Sequence, residues 1–335
     1  MPEAPTSAVP RRAGGGIGLA LVSAFAFGGS GVAAKPLIEA GLDPLHVTWL
    51  RVTGAALVLL PLAWRHRALV RERPALLAGF GLLAVAGVQA CYFAAIARIP
   101  VGVALLIEYL GPALVLAWVR FVQRRPVSRA AGLGVVLAVA GLACVVQIWA
   151  GLRLDALGLL LALGAACCQV GYFILSDHGG TPVDGRRVPD PVGVIAYGLL
   201  VGAVVLTVVA RPWTMDGRVL TRTALMGGAE MPAVVLLAWV VLVATVAAYL
   251  TGIVAVRRLS PQVAGVVACL EAVVATGLAW FLLGERLAAV QLLGGALVLA
   301  GALTAQRATP AAAPAEPVAR GGGGDARLPE DVRLP

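Results

Sequence analysis

Between residues 16 and 305 the chain alternates long apolar blocks with short polar connections. The blocks are rich in Leu, Val, Ala and Gly, and they end at Arg, Pro or Asp. Each runs for about twenty residues, the length an α-helix needs to cross a bilayer core. The pattern predicts helices over 16–36, 44–64, 75–97, 101–121, 130–149, 156–176, 191–210, 232–256, 261–283 and 288–305. The expected fold is therefore all-α: a polytopic membrane protein with ten transmembrane helices. Pro10-Arg11-Arg12 before an apolar run, with Val32-Ala33-Ala34 further on, has the outline of a signal peptide. The run is long and many more follow, so it reads as an uncleaved first span. Residues 1–15 read as an N-terminal tail. Residues 306–335, rich in Ala, Pro and Gly, read as a disordered C-terminal tail.

Composition agrees with this medium. The chain is 60% hydrophobic and only 13% charged, where a soluble domain carries nearer a quarter charged residues. The net charge of +9 resides in arginines at block ends, and Lys35 is the only lysine. In a membrane protein such charge reports orientation. With the N-terminus in the cytoplasm, fifteen arginines fall in cytoplasmic connections and seven basic residues outside, leaving aside Arg51 and the distal tail. The expectation is a multi-pass protein of the bacterial inner membrane with both termini cytoplasmic. No basic-aromatic patch suggests nucleic acid. The five cysteines lie inside apolar blocks without metal-ligand spacing, and the three histidines form no ligand set. No metal or cofactor is expected.

Two stretches rhyme. Ala97-Arg98-Ile99-Pro100-Val101-Gly102-Val103 opens the fourth helix, and Arg257-Arg258-Leu259-Ser260-Pro261-Gln262-Val263 opens the ninth. Pro44 and Pro191 open the second and seventh, and Trp118 and Trp280 stand near the ends of the fourth and ninth. Residues 16–149 and 150–305 thus read as two five-helix repeats. Five is odd, so equivalent helices cross in opposite directions. That inverted repeat is a common basis of alternating access in secondary transporters.

Polar side chains recur at helical spacing on some helices and are missing from others. Ser23 and Ser30 flank Phe27 on the first helix. Gln89 and Tyr92 share the third; Gln169 and Tyr172 the sixth; Thr245, Tyr249 and Gly252 the eighth. Glu108 stands on the fourth and Glu271 on the ninth, each among small residues. The fifth and tenth carry glycines such as Gly134, Gly141, Gly294 and Gly301, which suit close packing. The second and seventh are bland. Helices one, three, four, six, eight and nine are the nominated walls of a path. The competing reading is that these polar groups simply hydrogen-bond between helices.

The two glutamates carry the chemistry. Glu108 is about 12 Å along the helix from Pro100, and Glu271 about 15 Å from Pro261. A charged carboxylate at such depth costs roughly 2.5–3.5 kcal/mol on the lenient insertion scale. It must be protonated, paired, or turned to water. It can then carry a proton, hold a substrate ammonium, or serve as a structural hydrogen-bonding group. Gly111-Pro112 beside Glu108 removes an amide and marks a candidate hinge. Arg51, near the start of the second helix, reads as snorkelling or as a structural ion pair with Glu39 or Asp43, with a gate as the other option. Lys35 reads as an interface anchor or a gate, and Glu285 as a cap or ion-pair partner.

Certain residues resemble a known group. Phe27-Gly28-Gly29-Ser30 with Lys35, Arg51, Leu270-Glu271-Ala272 and Leu283-Gly284-Glu285-Arg286 resemble the drug/metabolite transporter superfamily in its EamA-domain branch. The run from Arg98 to Pro112, and Tyr172-Phe173-Ile174-Leu175-Ser176, are similar to the threonine/homoserine exporter group. The sequence departs from the family at Ala272, where a proline is common, and at Arg124-Arg125, where Gly-Glu is common. The resemblance implies ten helices in two inverted halves around a central cavity, and amino-acid export.

The function expected is a secondary transporter of a small polar metabolite, an amino-acid exporter working by proton-coupled alternating access. The partners are a small-molecule substrate, membrane lipid, candidate coupling protons and a candidate second copy in a homodimer. Within the same superfamily the alternative is an importer or a multidrug or other metabolite carrier. Outside it, the alternatives are a membrane enzyme or a scaffold. The enzyme reading lacks a nucleophile–base pair or metal set, and Gly29 to Lys35 lacks the Gly-Lys-Ser/Thr of a phosphate loop. A scaffold has no need of carboxylates at midplane.

Overall fold

A computed structural model describes residues 11–124, 126, 128–147, 154–179, 189–258 and 261–308. Most of these residues are helical. The first elements are α1 (Arg11–Glu39), α2 (Pro44–Val58), α3 (Leu60–Arg65) and the short α4 (Ala68–Glu72). Next come α5 (Pro74–Gly79), the π-helical turn π1 (Phe80–Gly87) and α6 (Val88–Ile96) in one continuous run. Then follow α7 (Val101–Glu108), α8 (Gly111–Phe121), α9 (Arg129–Val146), α10 (Ala156–Gly179) and α11 (Pro191–Ala210). A second continuous run joins α12 (Ala233–Ala238), π2 (Trp239–Ala247) and α13 (Ala248–Arg258), before α14 (Pro261–Leu283) and α15 (Ala289–Ala308).

Six helical stretches among the described residues are long and apolar enough to cross a membrane: Gly15–Glu39, Pro74–Ile96, Val101–Phe121, Arg129–Val146, Pro191–Ala210 and Ala233–Ala255. Ala156–Gly171, Cys269–Leu283 and Ala289–Thr304 are shorter apolar helices. Large apolar side chains cover the outer surface: Phe121, Trp64, Val208 and Phe281 are all more than two-thirds exposed. Water would penalise so extensive an apolar exterior, whereas hydrocarbon does not. The chain is a multi-pass membrane protein.

Helix starts follow from the sequence. Asp43 accepts the Leu45 amide at 2.8 Å, with Pro44 in the first turn of α2. Asp190 accepts the Val192 amide at 2.9 Å, with Pro191 opening α11. Ser128 accepts the Ala131 amide at 3.2 Å before α9. Each pairs a side-chain acceptor with an otherwise orphaned amide. At both tails the helix outruns its hydropathy block: α1 begins at Arg11 and α15 continues to Ala308. Backbone hydrogen bonding carries on after the apolar pattern stops. The rest of both tails lies outside the described residues.

One departure from an all-helical chain sits between α11 and α12. Strands β1 (Thr223–Met226) and β2 (Ala229–Pro232) form an antiparallel hairpin around Gly227 and Gly228. Both glycines have positive φ, 63° and 79°, as a tight two-residue hairpin turn requires. Ala224 is buried against the helices while Leu225 faces out.

The core forms around α1, α6 and α7. Val32, Ala34, Leu37, Phe93, Ile96, Val101 and Val103 are almost wholly buried there. Elsewhere α9 and α15 approach backbone to backbone. A β-carbon on Gly141 would sit 2.6 Å from the Gly294 carbonyl, and one on Gly301 would sit 2.6 Å from the Gly134 carbonyl. Two glycines seven residues apart on each helix thus meet in antiparallel register.

Candidate functional site

The run from Val101 to Phe121 is interrupted in its middle. α7 ends at Glu108, Tyr109 and Leu110 form a turn, and α8 begins at Gly111. Pro112 has no amide to close on the Glu108 carbonyl. The Leu110 amide instead bonds the Ile107 carbonyl at 3.0 Å, and helical bonding resumes from Leu114 to Leu110 at 2.9 Å. The break sets Glu108 at a helix end rather than mid-helix. Gly111 stands directly against the side-chain amide oxygen of Gln169 on α10, which a β-carbon there would displace.

A cavity of about 410 Å³ lies beside this break. Glu108 and Glu271 both line it, from α7 and α14, together with Gln89, Gln169 and Tyr249. Among the described residues, no hydrogen bond or ion pair engages the Glu108 carboxylate. Glu271 accepts a hydrogen bond from the Tyr109 hydroxyl at 3.3 Å. Gly28 lets α1 approach this point, for a β-carbon there would lie 2.8 Å from the Glu271 carbonyl. Phe27 meets Tyr249 edge-on, ring centroids 5.0 Å apart. Among the described residues the rest of the wall is apolar: Leu76, Phe80, Ala84, Val88, Val194 and Ile195, with Pro189 and Pro191.

Behind Gln89 stands Arg51, only 2% exposed. It neither snorkels nor reaches Glu39 or Asp43, which corrects the expectation for it. Its Nε donates to Thr245 Oγ1 at 2.7 Å, one terminal nitrogen to Gln89 Oε1 at 2.6 Å, and the other to the Ala244 carbonyl at 3.2 Å. Phe93 lies under the guanidinium, 5.2 Å from ring centroid to the central carbon. Helix α2 simply turns its single cation inward, so counting residues from the outer face predicted the wrong environment.

Lys35 lies elsewhere. Its Nζ is 2.6 Å from Glu285 Oε1, and Glu285 Oε2 accepts the Val101 amide at 2.9 Å. This cluster ties the ends of α1 and α7 to the segment after α14. Ser30 and Tyr92 are buried off the cavity wall. Tyr92 turns its hydroxyl to Gly31. Ser30 Oγ has no hydrogen-bond partner among the described residues. The backbone of Tyr172 belongs to α10, and its side chain lies outside the described part.

Five of the nominated residues thus converge on one cavity: Glu108, Glu271, Gln89, Gln169 and Tyr249. Unforeseen were the apolar half of the wall, Tyr109 beside Glu271, and Arg51 with Thr245 behind Gln89. Phe80, Val194 and Ile195 look like any lipid-facing residue in sequence. Tyr109 carried a usable signal, a polar-tipped ring next to a buried acid and a helix break.

The EamA-like transporter family model matches residues 14–147 and again 156–305. Threonine/homoserine exporter RhtA of Salmonella typhimurium is 28% identical over 260 residues, 77% of this chain and 80% of that protein. The protein of that name from Escherichia coli is 28% identical over 258 residues, 76% and 79% of the two chains. A crystal structure of another protein aligns with a TM-score of 0.56 at 18% identity, covering 87% of this chain and 96% of that one. These likenesses point to a transporter and not an enzyme, and the two matched stretches together make this chain a member of the EamA-like transporter family.

Proposed function

We propose that the chain is a proton-coupled exporter of a small amino acid of the threonine or homoserine kind, in the bacterial inner membrane with both termini in the cytoplasm. It works by alternating access between two inverted five-helix repeats, ten spans in all. The observation that carries this reading is the pair of carboxylates, Glu108 and Glu271, on a single 410 Å³ cavity among apolar helices. Two acids facing one void can take up a substrate ammonium or a proton, and both cannot stay charged there without a counterion. The names of the relatives supply the substrate class.

The repeat has its own support. A π-helical turn begins six residues after the start of the run at Pro74 and again six residues after the start of the run at Ala233. π-Turns are rare and concentrate at functional sites. Their recurrence at one place in the third helix of each repeat is what a duplicated unit would leave. Glu108 and Glu271 likewise stand on the fourth helix of each repeat.

The apolar wall of Phe27, Phe80, Val194 and Ile195 favours one second reading, a carrier of lipophilic amines. Counterflow in proteoliposomes separates the two. The account predicts saturable exchange of threonine and homoserine, and little exchange of lipophilic cations. The reverse pattern selects the second reading, and exchange of neither class removes both.

A further inference from the structure

We propose that Gln89, held in one orientation by Arg51, is the residue that recognises the substrate carboxylate. The inference rests on the amino-acid reading above. It begins from the direction of one hydrogen bond. Arg51 is a donor at every nitrogen and an acceptor at none. The Gln89 atom 2.6 Å from it must therefore be the carbonyl oxygen. With its oxygen turned to Arg51, the amide of Gln89 presents its N–H2 group on the side away from the guanidinium, and Gln89 lines the cavity.

The orientation is rigid because Arg51 is rigid. Two further acceptors, Thr245 Oγ1 and the Ala244 carbonyl, fix the guanidinium, and Phe93 supports its face. Thr245 is fixed in turn, since its hydroxyl donates to the Val240 carbonyl at 2.7 Å inside π2. The π-turn thus turns both a carbonyl and a hydroxyl toward one cation.

Substrate chemistry gives this arrangement its meaning. An amino acid brings an ammonium and a carboxylate. Glu108 and Glu271 suit the first and repel the second. The carboxylate needs a donor, and Gln89 is one whose direction is set before substrate arrives, so little ordering cost falls on binding. Arg51 acts as a positioning residue, touching Gln89 and not the substrate.

The test uses the full chain in proteoliposomes with threonine and threoninamide. The two share the side chain and the ammonium, and threoninamide replaces the carboxylate with a neutral amide. In the wild type, threonine should half-saturate exchange at a concentration about tenfold lower than threoninamide, as loss of one hydrogen bond to a charged group implies. Gln89→Glu keeps an oxygen facing Arg51 but replaces the N–H2 with an anionic oxygen. It should raise the threonine half-saturation by about tenfold or more and leave that of threoninamide unchanged or lower. Arg51→Lys should narrow the preference between the two substrates without weakening threoninamide. Equal shifts for both substrates, or no shift, overturn the proposal. If Gln89→Glu does not fold, the wild type decides: threoninamide exchanged as well as threonine also overturns it. A wild type that exchanges neither compound refutes the amino-acid reading itself, a separate outcome.

Discussion

Lys35 and Glu285 show how much one buried contact can organise. Their side chains are 16% and 12% exposed, and Glu285 also accepts the first amide of α7. Exposed ion pairs contribute about 0–1 kcal/mol, whereas stranding one partner of a buried pair costs about 3–5 kcal/mol. This pair lies between those limits. Lys35→Met should destabilise the protein by roughly 1–3 kcal/mol, measured by thermal or denaturant unfolding in detergent. Glu285→Gln should restore part of the loss in the Lys35→Met background, because the stranded charge is gone. Unchanged stability in Lys35→Met would mean that the contact is solvated and idle. Arg51 makes the same point from the other side, as a buried cation satisfied by neutral oxygens and a ring rather than by a carboxylate. Nothing in the local sequence marks that choice, since the partners at 89, 93, 244 and 245 come from two other helical runs.

At the scale of elements, two devices separate packing from working helices. α9 and α15 touch through glycines and, among the described residues, carry no polar side chain to the cavity. Gly141→Leu would push a side chain into the Gly294 carbonyl and the Val298 amide, each 2.6 Å from the new β-carbon. Backbone atoms cannot swing aside, so the cost should be at least the 1–3 kcal/mol typical of overpacking. Expression and thermal stability of Gly141→Leu check this, with Gly132→Leu as control, because nothing lies within 4 Å of a β-carbon at Gly132. If the two variants behave alike, the close approach does not matter. The working helices are broken instead: at Tyr109-Leu110 by Pro112, and by the π-turns of π1 and π2.

These elements also show what was readable. Helix positions followed from apolar block length and from the Arg, Pro or Asp at block ends, whereas the caps Asp43, Ser128 and Asp190 emerged only in the structure. The break near Glu108 followed from Gly111-Pro112. The π-turns did not, because Phe80–Gly87 and Trp239–Ala247 are as apolar as any span and a π-turn leaves the hydropathy unchanged. The cavity's acids and amides stood out because lipid penalises them. Its aromatic and aliphatic wall did not, because a side chain facing a void and one facing lipid look the same in sequence.

For the whole molecule, the cavity and the Lys35 cluster lie toward opposite ends of the helices. Leu76 and Pro191 stand at the starts of α5 and α11, whereas Lys35 is near the end of α1 and Val101 follows α6. In the proposed orientation the cavity reaches toward the cytoplasm, and the Lys35–Glu285–Val101 contacts close the outer side. Alternating access then requires the outer contacts to part while the carboxylates change their load.

The central claim is that Glu108 and Glu271 couple proton and substrate movement through one cavity. The direct measurement compares equilibrium threonine counterflow with threonine accumulation driven by a pH gradient, in wild type, Glu108→Gln and Glu271→Gln. The account predicts that the wild type performs both, and that neutralising a coupling carboxylate abolishes gradient-driven accumulation while counterflow persists at a raised threonine half-saturation. Undiminished accumulation in both variants would contradict it.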